Sequence, residues 1–161
     1  MTGPRYKVPF RRRREGITDY SHRLRLLKSG KVRAVVRNSN RYCIVQFIQF
    51  HHSGDTVLAS ASSIELRKYG WNGAASNGAA AYLTGLLASS RARGKGITEA
   101  VFDAGINSPR KNSNVYAALS GIVEGGVSVP HDESAIVPMK RIEELASKHG
   151  NFSEIRSKMV K

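Results

Sequence analysis

Cysteine is almost absent from this chain. Cys43 is the single one among 161 residues, which excludes an intramolecular disulfide and any multi-cysteine zinc site. Its neighbours Ile44 and Val45 are apolar, so it reads as a buried thiol in a strand rather than a reactive one. Long apolar runs are missing too. No stretch nears the roughly 18 residues that a membrane span needs, and the N-terminus has no apolar core of the about 7–15 residues found in a secretory signal. An intracellular, soluble protein with no membrane partner is expected. Acids are the third scarcity: 12 Asp and Glu stand against 26 Lys and Arg, for a net charge of +14. That shortage weakens any two-metal nuclease reading, because such chemistry needs several carboxylates converging on ions about 4 Å apart.

Catalytic and cofactor patterns are equally thin. The carboxylates that strands or turns might present are Asp55, Glu65, Glu99 and Asp103. Glu99 and Asp103 share a strand face only if both lie within the strand, and Asp103 is expected to begin a loop, so all four read as surface or turn acids. His51 and His52 are adjacent, and neighbours in a strand project to opposite faces, so they cannot easily share one metal. His131, Asp132 and Ser134 spell the letters of a hydrolytic triad, but a triad is a spatial arrangement, and no G-x-S-x-G elbow accompanies them. The glycine pieces at 94–96 and 121–126 match neither a Walker loop nor a dinucleotide fingerprint, and read as helix stops. No cofactor, metal or small-molecule substrate is called for.

What the chain has in quantity is arginine, and it is unevenly placed. Residues 1–41 hold 13 of the 26 bases and only Glu15 and Asp19 as acids, a net +11. The remaining residues hold 13 bases and 10 acids, a net +3. Nearly all the excess therefore sits on the first quarter, the signature of a polyanion-binding arm on a nearly balanced domain. At 161 residues, 40% of them hydrophobic, the chain has the length and composition to bury a core.

Residues 1–16 lack an apolar period and carry Gly3, Pro4, Pro9 and the run Arg11, Arg12, Arg13 and Arg14, so they read as an extended arm. Ile17, Tyr20, Leu24 and Leu27 recur at helical spacing, with Thr18 placed to cap the start and Gly30 the end. Residues 31–37 alternate, 38–40 form a turn cluster, and 42–50 are rich in β-branched and aromatic residues, which predicts a hairpin. A turn at 53–55 and a third strand at 56–62 complete an antiparallel meander. A helical window follows at about 72–92, in which Gly78 and Gly85 cost roughly 1 kcal/mol each relative to Ala and make sense if another element packs closely there. A fourth strand at 97–102, a loop at 103–112, a helix at about 113–124 and helical segments at 141–148 and from 153 complete the reading. The order βββαβα predicts an α/β fold: a mixed sheet covered by helices. The expected divisions are a basic arm at 1–16, an RNA-binding α/β domain at 17–130 and a helical C-terminal extension at 131–161.

The basic residues form one constellation: the four arginines, then Tyr20, Arg23, Arg25 and Lys28 on a helix, then Arg33, Arg37 and Arg41 around the hairpin. Arginine's planar fork pairs with phosphate and stacks on bases. Tyr6, Phe10 and Tyr20 interleave the charges, which suits unstacked or looped RNA. Asn38, Ser39 and Asn40 offer amide and hydroxyl groups at the hairpin tip. No helix-turn-helix or zinc finger is present, which favours RNA over DNA.

Five stretches in order carry a resemblance: YKVPFRRRREGITDY at 6–20, KVRAVVRNSNRY at 31–42, GDTVLASASSIEL at 54–66, AAAYLTGLLASSRARGKGI at 79–97 and VYAALSGIVEGGVSVPH at 115–131. Together they resemble the large-subunit ribosomal protein eighteen family, in its archaeal and eukaryotic branch. The resemblance implies a non-enzymatic component of the cytoplasmic large ribosomal subunit. Such a protein binds 5S rRNA and helps seat it in the central protuberance, beside the large-subunit rRNA and neighbouring ribosomal proteins. It implies RNA contacts from Lys7 and the arm to Arg14, from Tyr20 and Arg23, from 37–41, and from the loop residues Arg110 and Lys111. The rival readings are an RNA-processing enzyme and a nonspecific nucleic-acid-binding protein.

Overall fold

The computed structural model describes residues 3–107, 110–147 and 151–160. Its centre is a four-stranded mixed sheet in the order β3-β2-β1-β4. Strands β1 (Arg33–Asn38), β2 (Cys43–Gln49) and β3 (Thr56–Ser62) form the expected antiparallel meander. The chain then crosses the sheet through α3 (Gly78–Arg93) and returns as β4 (Val101–Asp103), parallel to β1. Helix α4 (Asn114–Glu124) follows. Before the sheet come α1 (Arg11–Arg14) and α2 (Tyr20–Leu27), and after it α5 (Met139–Ala146) and α6 (Phe152–Val160).

The period-two pattern sorts the sheet into two faces. Ala34, Val36, Val45 and Phe47, with Ala59 and Ala61 of β3, are buried in the main core. Alternate residues Arg33, Val35 and Arg37 of β1 are in register with Ile48, Gln46 and Ile44 of β2 and lie on the opposite face. Cys43 is fully buried in the core, and burial pushes its thiol up to about 12.

Helix α3 is the central rod. Thirteen of its 16 residues are buried, so it has no single apolar stripe, as befits a helix packed on every side. It carries the sheet, α4, α5 and α6. The approach of α3 to α4 is set by glycine. A Cβ on Gly85 would lie 2.2 Å from the Ala118 carbonyl oxygen, and one on Gly121 would lie 2.1 Å from that of Tyr82. A Cβ on Gly78 would meet side chains instead, Leu145 at 2.9 Å and Asn114 at 3.3 Å. The expectation of a close neighbour at Gly78 and Gly85 is met. The helix starts later than its composition suggests because Asn77 caps it, its Oδ1 accepting from Ala80 N at 2.7 Å.

Three local expectations are corrected and one unforeseen element is added. The arm is not extended throughout, since Arg11–Arg14 make one helical turn in which no residue is buried. Asp19, not Thr18, caps α2, accepting from the amides of Ser21 and His22; Thr18 instead accepts from Arg12 Nε at 2.9 Å. A 3-10 helix at Ser63–Tyr69 follows β3, started by a reciprocal capping box between Ser62 and Glu65. The fourth strand is only three residues long and includes Asp103, while Glu99 makes a separate parallel bridge to Ser128.

The C-terminal segment joins the same core. Ile142, Phe152, Ile155 and Met159 are buried among the body's apolar residues. Phe152 stacks obliquely on Tyr82, with ring centroids 5.8 Å apart. Glu124 accepts from the Tyr82 hydroxyl and from Arg156, and burial with that carboxylate raises the Tyr82 phenol. At the other edge, Arg91 Nη1 donates to the Ser60 carbonyl and Lys95 Nζ to the Leu58 carbonyl. Edge strand β3 thus has cations on its outer backbone acceptors.

Candidate nucleic-acid interface

The basic residues divide by what they touch. Lys7, Arg13, Arg14, Arg25, Lys28, Arg37 and Arg41 have no carboxylate within ion-pair distance among the described residues. All but Arg25 and Lys28 belong to the arm or the hairpin, and these two extend the surface along α2. Local acids are meanwhile engaged. Glu15 lies 3.8 Å from Arg11 in an exposed pair, and Asp19 is occupied by the α2 amides, the His22 N–H holding its carboxyl below the usual range. A surface is left with many cations and few competing anions, suited to phosphate.

The arm docks on α2 through an aromatic contact: Phe10 lies against Tyr20 with centroids 5.9 Å apart. Phe10 and Tyr6 remain exposed, and Tyr20 partly so, leaving ring surface that a base can stack on. At the hairpin tip, Ser39 N and Oγ both donate to the Tyr42 carbonyl, and Oγ accepts from the amides of Arg41 and Tyr42. Its hydroxyl valence is filled by the turn. Asn40 and Arg41 are left exposed at the tip. Asn38 is half-buried, and its Oδ1 has no hydrogen-bond partner among the described residues.

A cleft of about 240 Å³ separates α2 from β1 and the loop after β4. It draws together Arg12, Arg23, Arg37 and Asn38 with His22 and Asn107. Arg110 and Lys111 are exposed ahead of α4 but do not line this cleft.

Arg33 leaves the constellation. It is 3% exposed, and its guanidinium donates to Asp103 Oδ2 at 2.8 Å and to Asp55 Oδ2 at 2.7 Å. Arg23 donates to the same Asp55 oxygen at 2.7 Å. Asp103 uses its other oxygen to accept from Gly105 N at 2.8 Å, fixing the loop after β4. These pairings join residues 22, 32 and 70 positions apart, which no local pattern reveals.

The four carboxylates weighed for metal chemistry are each neutralised by a base: Asp55 and Asp103 as above, Glu65 by Arg91 and Glu99 by Lys31. Arg91 holds the Glu65 carboxyl below its ordinary value, and Lys31 does the same for Glu99. Asp103 belongs to a strand and is buried, so its expected place as a loop acid is corrected. Among the described residues no group of three or more His, Cys, Asp and Glu is placed to hold a metal ion. His51 and His52 lie exposed around a turn, His52 edge-on to Phe50. Asp132 caps a short 3-10 helix, and His131 Nδ1 bonds the Val129 carbonyl.

Comparison with known proteins gives this surface a family. A relative from Aeropyrum pernix, called large ribosomal subunit protein uL18, is 52% identical over 141 residues, covering 87% of this chain and 66% of its own length. Proteins of the same name from Haloarcula marismortui and Korarchaeum cryptofilum are 50% and 54% identical, covering 87% and 89% of this chain and 75% and 74% of theirs. The chain thus spans about two thirds to three quarters of these relatives. The family model described as ribosomal large subunit proteins 60S L5 and 50S L18 matches residues 4–97, which hold the arm, α2, the first three strands and all of α3. The chain belongs to that family of large-subunit ribosomal proteins.

Proposed function

We propose that this protein is a structural constituent of the large ribosomal subunit that binds 5S rRNA and helps seat it in the central protuberance, against the large rRNA and neighbouring ribosomal proteins. Its family is one of non-enzymatic proteins of the cytoplasmic ribosome. The observation that carries the RNA-binding reading is the run of cations from Lys7 through Arg13 and Arg14 to Lys28, Arg37 and Arg41 that have no ion-pair partner among the described residues, beside acids that already have partners. Arg11, Arg12, Arg13 and Arg14 lie on one helical turn, whose successive side chains point in different directions, so phosphates on several sides can meet them. Tyr6 and Tyr20 supply ring faces for unstacked bases, and the turn braced by Ser39 presents Asn40 and Arg41 to the backbone or a base edge. Arg110 and Lys111 form a separate, smaller contact ahead of α4.

The test is affinity for 5S rRNA and for a duplex RNA of equal length, each titrated with salt. A preference for 5S rRNA that persists at high salt supports shape-dependent recognition by the folded surface. Equal affinities that fall together with salt overturn it in favour of nonspecific binding by the arm.

A further inference from the structure

Two arginines and two aspartates meet at the foot of the proposed RNA surface, and they pair with one another. Asp55 Oδ2 accepts from both Arg23 Nη2 and Arg33 Nη2 at 2.7 Å. Their side chains form a gradient of exposure, with Arg33 at 4%, Asp55 at 24% and Arg23 at 35%. Each belongs to a different piece of the fold. Arg23 is on α2, Arg33 begins β1, Asp55 ends the turn before β3, and Asp103 closes β4. Helix α2 itself buries no residue, so little apolar area fixes its orientation on the sheet. A charge-assisted hydrogen bond to a partly desolvated carboxylate is the interaction able to do so.

We propose that Asp55 is a positioning residue of the interface. Through Arg23, with Arg33 as its buried anchor, it locks α2 in the orientation that aligns Tyr20, Arg25 and Lys28 with the arm and the hairpin tip. Arg23 then serves the RNA site indirectly, as the strut of α2, rather than by binding phosphate. The same network reaches the far wall of the cleft, because Asp103 ties Arg33 to the loop through Gly105. This inference rests on the RNA-binding reading and specifies how its surface is held.

Electrostatics and positioning make opposite forecasts for Asp55→Asn. Removing a negative charge from a protein of net charge +14 should strengthen its attraction for any polyanion. If Asp55 positions α2, affinity for 5S rRNA instead falls, on the order of tenfold, the scale that one charge-assisted hydrogen bond sustains. Affinity for a plain duplex stays level or rises. The slope of log affinity against log salt stays unchanged, since the freed α2 still brings Arg25 and Lys28 to their phosphates and the loss is the cost of ordering the helix on binding, whereas Arg13→Ala lowers it by about 0.7–0.9.

Asp55→Asn also disturbs buried Arg33, so Arg23→Ala and Arg23→Lys are measured beside it. Arg23→Ala leaves the Arg33–Asp55 pair in place and frees only the helix. Expected are faster amide exchange along α2, the same drop in 5S rRNA affinity with an unchanged salt slope, and recovery in Arg23→Lys, whose ammonium reaches a carboxylate as a point charge. A lowered salt slope in Arg23→Ala would make Arg23 a phosphate ligand and overturn the proposal, as would undiminished 5S rRNA affinity in both Asp55→Asn and Arg23→Ala. If the unaltered protein shows no preference for 5S rRNA, the functional reading fails by itself, and amide exchange along α2 still decides whether Asp55 holds the helix.

Discussion

Replacing Gly85 by alanine sets two effects of opposite sign against each other. In a helix interior alanine is favoured over glycine by about 1 kcal/mol, so on propensity alone the change stabilises. The geometry opposes it. The new Cβ would lie 2.2 Å from the Ala118 carbonyl oxygen, 3.0 Å from its carbon and 3.2 Å from the Ile122 nitrogen. Carbon contacts are at rest near 3.5–4.0 Å, so α4 must retreat by about 1 Å. The obstacle is backbone, which cannot rotate aside as a side chain can. Gly121 makes the reciprocal contact on Tyr82, so retreat there opens a gap between the helices. Overpacking of this kind costs about 1–3 kcal/mol and occasionally more. With the obstacle on the backbone, the upper end applies, and subtracting the propensity gain leaves a net loss of about 2 kcal/mol. For a chain of this size that corresponds to a melting temperature lower by about 4–8 °C. Thermal and urea denaturation followed by circular dichroism measure it, with the midpoint expected to move and the urea slope to stay. Gly94→Ala is the control: Gly94 has φ −58° and an added Cβ would sit at an ordinary 3.5 Å from the nearest atom. That variant should match the unaltered protein or exceed it by up to about 1 kcal/mol. A Gly85→Ala protein as stable as the original would refute the close-packing argument.

Other expectations can be measured on the same material. Changing Arg11, Arg12, Arg13 and Arg14 together to alanine should flatten the salt dependence of 5S rRNA affinity by about 0.7–0.9 for each phosphate no longer neutralised. Unfolding should remain cooperative, because α1 buries nothing; loss of cooperativity would make the arm structural. Cys43 should resist thiol reagents in the folded protein. Its thiol rises from 9.0 to about 12 on folding, so the stability linked to the protonated thiol is complete below pH 9 and is lost as pH rises toward 12. Cys43→Ala should lack that component of the alkaline decline, and an identical decline would remove the argument. Phe152→Ala should cost about 3–5 kcal/mol, since the ring is 8% exposed against Tyr82. An unchanged midpoint would show that α6 adds nothing to the core.

The sheet could be read from the chain because its signals are local. Alternation at 31–37, the turn cluster after it and the β-branched run beginning near Cys43 each require only neighbouring residues, and the meander they predict is present with its register. Gly85 could be read because glycine in a helix carries a cost that demands a compensating neighbour. Arg33 could not. In sequence it is one more arginine in a basic stretch, and only the parallel docking of β4 beside β1 brings Asp103 to it. Asp55 escaped for the same reason: next to Gly54 it looks like a turn acid, while its partners lie on α2 and β1. The 3-10 helix after β3 did have a visible signal, Ser62 with Glu65 three positions on, masked by the strand-like run before it.

The cations on the outer edge of β3 bear on the life of the chain before assembly. A newly made copy with an open sheet edge is at risk of recruiting the strand of another copy, and stacked sheets precipitate. Here the Ser60 and Leu58 carbonyls are already taken by Arg91 and Lys95, so an incoming strand finds those acceptors occupied and meets the Lys95 ammonium, the Arg91 charge being balanced by Glu65. Two identical edges repel for the same reason. Solubility while waiting for RNA is thereby built from the residue types the chain has in surplus, and RNA itself, which brings phosphate rather than free amides, is not turned away by the same device.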